Sequence, residues 1–280
     1  MHKKAITIGI VAPATPFATD LASRVETLAA QLDPENPPQL RFHPQCYLAH
    51  NHFAGSDDAR MAALIDYAND PAIDAVWFAR GGYGSNRIAS AAIAQFTDVA
   101  RRKVFMGYSD CGFLLAGLYK AGFNAVHGPM PADILREGGQ NAVTRALRFL
   151  TQAAPETLEP HVGTAPLAAF NLTILAGLIG TALEPDLTGH VLMIEDVSEY
   201  MYRIDRMMFQ ITAHAPLRAV AGIRLGRVSD VPENIPDFGE DAVAVVRHWC
   251  EKAAIPYLGR ADIGHDSDNK VVPFGIYHQK

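Results

Sequence analysis

The stretch KVFMGYSDCGFLLAGLYKAG, residues 103–122, begins as an apolar run leaning to β structure. It bends through Gly-Tyr-Ser-Asp-Cys and continues with apolar residues at helical spacing. A strand that feeds a helix through such a bend is the repeating unit of a parallel sheet covered by helices. The bend carries two nucleophile types, Ser109 and Cys111. A strand, Gly-x-Ser and a helix in that order is the layout of a nucleophile elbow, where a tight turn lifts the hydroxyl above the sheet and the next backbone N–H faces an oxyanion. Gly107 suits that crowded turn, but the second glycine of the generic pattern would stand at 111, where this chain has Cys.

Working outward, the same alternation repeats. A β-branched run from Ile6 to Val11 precedes Leu21, Val25, Leu28 and Leu32 at helical spacing, opened by Thr19-Asp20. QLRFH reads as a strand, DDARMAALIDYAND as a helix, AIDAVWFAR as a strand and NRIASAAIAQF as a helix. Residues 152–166, with three prolines and neither period, read as a linker (153–166) between an N-terminal domain (1–152) and a C-terminal domain (167–280). Beyond it lie an apolar segment LAAFNLTILAGLIGTAL, a strand HVLMIE, a helix EYMYRIDRMMFQITAH, a strand AVAGIRLGR and a helix DAVAVVRHWC. The fold class expected is α/β, with ligands at the carboxyl ends of the strands.

Composition narrows the partners. At 280 residues and 49% hydrophobic, the chain can fill one large or two medium cores. A formal charge of -6 with 24 Lys and Arg supplies no basic stripe for nucleic acid. No apolar run approaches the roughly 18 residues of a membrane span. Cys46, Cys111 and Cys250 are far apart and odd in number, which suits a reducing, cytoplasmic setting rather than a disulfide framework. MHKKAITIGIVAPA imitates a secretory signal with its basic start and Ala-Pro-Ala, but its apolar run is short, and a first buried strand is the expected reading.

Three further clusters bear on chemistry. Arg80 to Arg87, ARGGYGSNR, follows a strand, and its glycines permit close backbone approach to a ligand; it has neither the G-x-G-x-x-G spacing nor a Walker lysine. A serine nucleophile needs a base and a group to orient that base. Glu195, Asp196 and Glu199 at the end of VLMIEDVSE are all placed for the orienting role, and His265 lies in a polar loop, ADIGHDSDNK. The order Ser, acid, His is used by known hydrolases. HPQCYLAHNH, with His43, Cys46, His50 and His52, suggests zinc at first sight but lacks a paired metal-binding spacing, so no metal or other cofactor is expected.

Taken together, IGIVAPA, GSDDARMAAL, RGGYGSNRI, GYSD, VHGPM, Asn171-Leu172, Gly180-Thr181, IEDVSEYMYRIDRM, the Gly264-His265 pair and PFG resemble the L,D-carboxypeptidase family of serine peptidases, which includes murein tetrapeptide carboxypeptidases and microcin C self-immunity peptidases. The resemblance implies an N-terminal Rossmann-like parallel sheet flanked by helices, a smaller C-terminal α/β domain, and an active site in the cleft between them. It implies Ser109 as nucleophile, Glu195 and His265 as its partners, and the N–H groups of Asp110 and Gly82 as oxyanion donors. It implies Arg80, Gly81 and Asn171 at the substrate, a muropeptide losing its terminal D-alanine in peptidoglycan recycling, and a homodimer. A microcin-immunity-like amidase acting on peptide-nucleotide conjugates, or a non-catalytic binding protein, are the alternatives. Arg80, Arg87 and Arg206 are the cations available for a substrate carboxylate. Two departures stand out: Gly112 replaces the threonine of Ser-Asp-x-Thr, and AFNL stands for Gly-Gly-Asn-Leu.

Overall fold

The computed structural model describes residues 5–163 and 165–277; the basic residues at 2–4 and Thr164 of the expected linker lie outside them. The first half runs β1 (Thr7–Val11), α1 (Thr19–Leu32), β2 (Gln39–Phe42), α2 (Asp57–Asn69), β3 (Ala75–Phe78), α3 (Ser85–Ile93), β4 (Val104–Gly107), α4 (Gly112–Lys120), β5 (Asn124–His127) and α5 (Gly139–Gln152). The second runs β6 (Leu167–Asn171), α6 (Leu172–Leu178), β7 (Val191–Val197), α7 (Met201–Ala213), β8 (Gly222–Ser229), α8 (Ala242–Ala253), β9 (Tyr257–Arg260) and β10 (Val272–Pro273). The protein is α/β, with two parallel-sheet cores flanked by helices.

Among the described residues the first sheet has the order β10-β5-β4-β3-β1-β2 and the second β6-β7-β8-β9. Every pairing is parallel except that of β10 with β5. Strands covered by helices on both faces have no polar side to show, and TIGIV of β1 and AVWF of β3 are buried at every position. The edge strand β2 instead alternates between exposed and half-buried positions. Local signals fix the helix starts: Ser56 caps α2 by accepting from the N–H of Ala59 at 3.2 Å, Asn171 caps α6 from Ile174 and Asp241 caps α8 from Ala244.

The two sheets share a core. Phe170 of β6 meets the ring of Phe274 edge-on at 5.1 Å, and Tyr119 of α4 meets the same ring at 5.7 Å. The junction is made by the end of the chain. After β9 completes the second sheet, residues 261–271 cross over, and Val272 and Pro273 pair with His127 and Val126 of the first. Whatever that crossing segment carries is held between the carboxyl ends of both sheets.

Candidate active site

Ser109 follows β4 with φ +58°, a left-handed conformation that costs a non-glycine residue on the order of 1–3 kcal/mol unless its surroundings impose it. The next residue supplies the constraint. The carboxylate of Asp110 accepts from the N–H of Gly84 at 3.2 Å and of Ser85 at 2.9 Å, while its carbonyl accepts from Ser85 Oγ at 2.6 Å. The bend is thereby laced to the glycine loop and to the start of α3. Burial works against the Asp110 carboxylate and leaves its pKa above the ordinary value despite those donors.

The glycine loop passes so close to Ser109 that side chains would not fit. A Cβ on Gly81 would lie 3.0 Å from Ser109 Cβ and 3.1 Å from its Oγ. Gly82 has φ +107°, and a Cβ there would stand 2.5 Å from Thr15. Among the described residues, no backbone carbonyl engages the N–H of Gly82 or of Asp110.

Across the cleft, Nε2 of His265 lies 3.0 Å from Ser109 Oγ and its Nδ1 lies 2.6 Å from Glu195 Oε2. Glu195 is fully buried near the end of β7, where the pairing with β8 shifts register between Ile194 and Asp196. Such an irregularity re-aims side chains, and here consecutive acids take separate tasks. Asp196 accepts from Asn171 Nδ2, Thr173 N and Val197 N, and Glu199 pairs with Arg203. Of the three acids, Glu195 alone bonds the imidazole. Burial drives the Asp196 pKa up to about 6, aided by the Glu195 charge and opposed by its hydrogen bonds.

The histidine loop is fastened from both sides. Arg227 binds Asp262 and Asp266, and Arg145 Nη1 donates to the carbonyls of Ser267 at 2.8 Å and Asn269 at 3.0 Å. Asn269 Oδ1 accepts from the N–H of Gly264 and lies 3.0 Å from Nε2 of the buried His127. The ring of Tyr108 packs 4.8 Å from that of His265. Burial alone disfavours an imidazolium here, but the charge and hydrogen bond of Glu195 outweigh it, so the His265 pKa lies above the ordinary histidine value.

Ser109 and His265 open onto a cavity of about 300 Å³, also lined by Arg80, Gly81, Gly82, Met130, Asp133 and Arg136. Asn171 is elsewhere: it is buried, with its Oδ1 capping α6 and its Nδ2 on Asp196. Arg87 is engaged with Asp57 at 2.8 Å and lies over Phe53, and Arg206 lies over Tyr202. His43 accepts from the N–H of Gln45, and Cys46 is buried with its thiol on the Ile10 carbonyl. Among the described residues no group of three His, Cys, Asp or Glu is gathered for a metal. Cys111 is fully buried, and desolvation holds its thiol well above the ordinary pKa, as expected of a packing residue. Arg136, Asp133, Arg227 and Arg145 were not among the expected residues; Asp262 and Asp266, on either side of His265 in the sequence, were the visible trace of Arg227.

The arrangement suits proton transfer from a hydroxyl to a buried imidazole. The LD-carboxypeptidase N-terminal domain matches residues 8–128 and the LD-carboxypeptidase C-terminal domain residues 164–279. A probable murein peptide carboxypeptidase of Bacillus subtilis (strain 168) is 31% identical over 97% of this chain and 88% of its own length. The crystal structure of muramoyltetrapeptide carboxypeptidase from Oxalobacter formigenes superposes with a TM-score of 0.80 at 26% identity, covering 95% of this chain and 93% of that one. The microcin C7 self-immunity protein in complex with aspartyl sulfamoyl adenosine shares the fold, with a TM-score of 0.78 at 19% identity over 98% and 92% of the two chains.

Proposed function

The chain belongs to the LD-carboxypeptidase family and is a serine-type carboxypeptidase, and from that premise we propose that it hydrolyses the terminal L-D amide of a murein tetrapeptide, releasing D-alanine. The observation that carries this reading is the unbroken line from Glu195 through His265 to Ser109, at 2.6 and 3.0 Å, opening onto the cavity.

His265 Nε2 takes the proton of Ser109 as Oγ attacks the scissile carbonyl. Glu195 holds Nδ1–H, fixing the tautomer and stabilising the imidazolium. The oxyanion meets the N–H groups of Gly82 and Asp110, and losing one such donor costs about 3 to 4 kcal/mol of transition-state stabilisation. When the tetrahedral intermediate collapses, the imidazolium gives its proton to the leaving amine. Water then attacks the acyl-enzyme, His265 again acting as base.

A cavity of about 300 Å³ admits the end of a free peptide. This supports a role in the reuse of released wall peptides, and free cysteines at 46, 111 and 250 support a reducing, cytoplasmic setting. The test is a panel of free tetrapeptides with L-D and D-D termini, together with an aminoacyl sulfamoyl nucleoside. Release of D-alanine from the L-D peptide alone is expected. Cleavage of the nucleoside conjugate in preference to every peptide would replace this reading.

A further inference from the structure

An enzyme that removes one terminal residue must recognise a free carboxylate just beyond the scissile bond. Of the arginines expected from the sequence, Arg87 and Arg206 lie outside the cavity lining, and Arg80 lies within it. A fourth, Arg136, lines the same cavity as Ser109 and His265. We infer that Arg136 receives the free α-carboxylate of the substrate's terminal residue, an assignment that rests on the carboxypeptidase reading above.

The geometry around Arg136 favours it over Arg80. Its Nε donates to Asp133 Oδ1 at 3.0 Å, and Asp133 is itself buried and held by Tyr108 Oη at 2.7 Å and by the N–H of Met130 at 2.8 Å. One edge of the guanidinium is therefore fixed by a buried carboxylate that a short turn, Pro131–Leu135, holds in place. A guanidinium oriented in this way can present its remaining donors to a second carboxylate with little further loss of freedom. Arg136 and Arg80 are both exposed, but among the described residues the Arg80 guanidinium has no protein partner, so ordering it costs rotamer entropy at binding.

Arg136 is also connected to the reacting groups. Its partner Asp133 binds the hydroxyl of Tyr108, whose ring packs against His265. The positive charge of Arg136 is felt at His265, where it opposes the imidazolium that Glu195 favours. A substrate carboxylate seated on Arg136 offsets that charge and strengthens His265 as a base; a terminal amide in the same place does not. The chemical class recognised is thus a free terminal α-carboxylate, and the consequence of recognition is both binding and activation.

The test compares a free-acid L-D tetrapeptide with its carboxamide in wild type, Arg136→Gln, Arg136→Lys and Arg80→Gln. In Arg136→Gln, kcat/KM for the acid is expected to fall about 10- to 100-fold while that for the amide does not fall, the charge that opposed the His265 imidazolium having gone, so that the acid preference collapses. Arg136→Lys keeps part of the preference, and Arg80→Gln keeps nearly all of it. Thermal melts and turnover of a small neutral ester check that Arg136→Gln is folded with Ser109 active. Calorimetric binding of acid and amide to Ser109→Ala, with and without Arg136→Gln, separates this assignment from the reaction itself. Loss of acid-selective binding on removing Arg136 supports the assignment even in a protein that turns over neither peptide. An acid preference that survives Arg136→Gln overturns it, and transfer of the whole effect to Arg80→Gln names the other arginine.

Discussion

Ser109 Oγ lies 3.0 Å from His265 Nε2 across 156 positions of the chain, the serine at the carboxyl end of the first sheet and the histidine on the segment that leaves the second. The contact exists because β10 returns to pair with β5 and draws the preceding loop over Ser109. If the pair acts as nucleophile and base, Ser109→Ala and His265→Ala each reduce kcat by on the order of 10³-fold or more, with the double variant scarcely worse than either. Release of D-alanine by the three proteins, beside their circular dichroism, checks this. Additive losses would separate the two roles.

The pH dependence follows from the environment of His265. The base must be neutral, and its pKa is raised, burial being outweighed by the charge and hydrogen bond of Glu195. The acid limb of kcat/KM is therefore expected to have its midpoint above the ordinary histidine value of about 6.5. Glu195→Gln leaves the burial and removes the charge, so the limb moves to lower pH while the plateau falls by about 10³- to 10⁴-fold. Among the described residues Glu195 Oε1 meets no donor, so His265 is the carboxylate's one partner. A limb that stays in place when Glu195 is changed would remove it from this role.

Much of this arrangement was legible in the sequence. The strands and helices read around KVFMGYSDCG lie within a few residues of β1 to β4 and α1 to α4, because their apolar spacing reports burial directly. Helix α5 also left a signal, with Ala142, Val143, Ala146 and Leu147 buried at helical spacing, and was absent from the expected elements. Strand β10 spans two residues, too short for any period to emerge, and β5, though four residues long like β2 to β4, was not among the expected elements. Asn171 illustrates another limit. A polar residue in a motif can serve a helix cap or a ligand, and only its partners, Ile174 N and Asp196, distinguish the two.

Gly112 is explained by packing rather than by chemistry. A Cβ there would lie 3.0 Å from Ile174 Cγ2 and 3.5 Å from Phe170 Cδ1, so Phe170, the aromatic residue in AFNL, and Ile174 occupy the side on which a threonine would stand. Gly112 and Phe170, at the two places where the sequence departs from the pattern it resembles, thus face each other across the junction between α4 and β6-α6. Gly112→Thr is expected to destabilise by about 1–3 kcal/mol through overpacking, and Ile174→Ala to recover part of that loss. Urea unfolding of the four proteins in a double-mutant cycle measures the coupling. A value near zero would detach Gly112 from its neighbours.

The three thiols provide a check on Cys111. Cys46, Cys111 and Cys250 are each no more than 1% exposed. Desolvation raises Cys46 to about 12, Cys250 to about 11 and Cys111 well above its ordinary value. At pH 8 a disulfide reagent is expected to titrate none of them in the folded protein and all three in denaturant. Rapid reaction of one native thiol, with loss of activity, would return Cys111 to consideration as a reactive group.

Asp196 links the site to stability with a definite sign. Burial first, and then the neighbouring Glu195 charge, raise its folded pKa to about 6, against about 3.9 for an unfolded aspartate. Between those values the folded state holds more protons than the unfolded state, so this group's contribution to stability falls as pH rises from about 4 to about 6 and is level above that. The two-unit interval corresponds to on the order of 2–3 kcal/mol. Asp196→Asn does not titrate, and although it disturbs the bonds to Asn171, Thr173 and Val197, that cost is the same at every pH. Wild type is therefore expected to lose on the order of 2 kcal/mol relative to Asp196→Asn between pH 4.5 and pH 7. Urea unfolding at the two pH values measures it, and equal changes in both proteins would show that Asp196 ionises as an ordinary surface acid, with no cost from its burial beside Glu195.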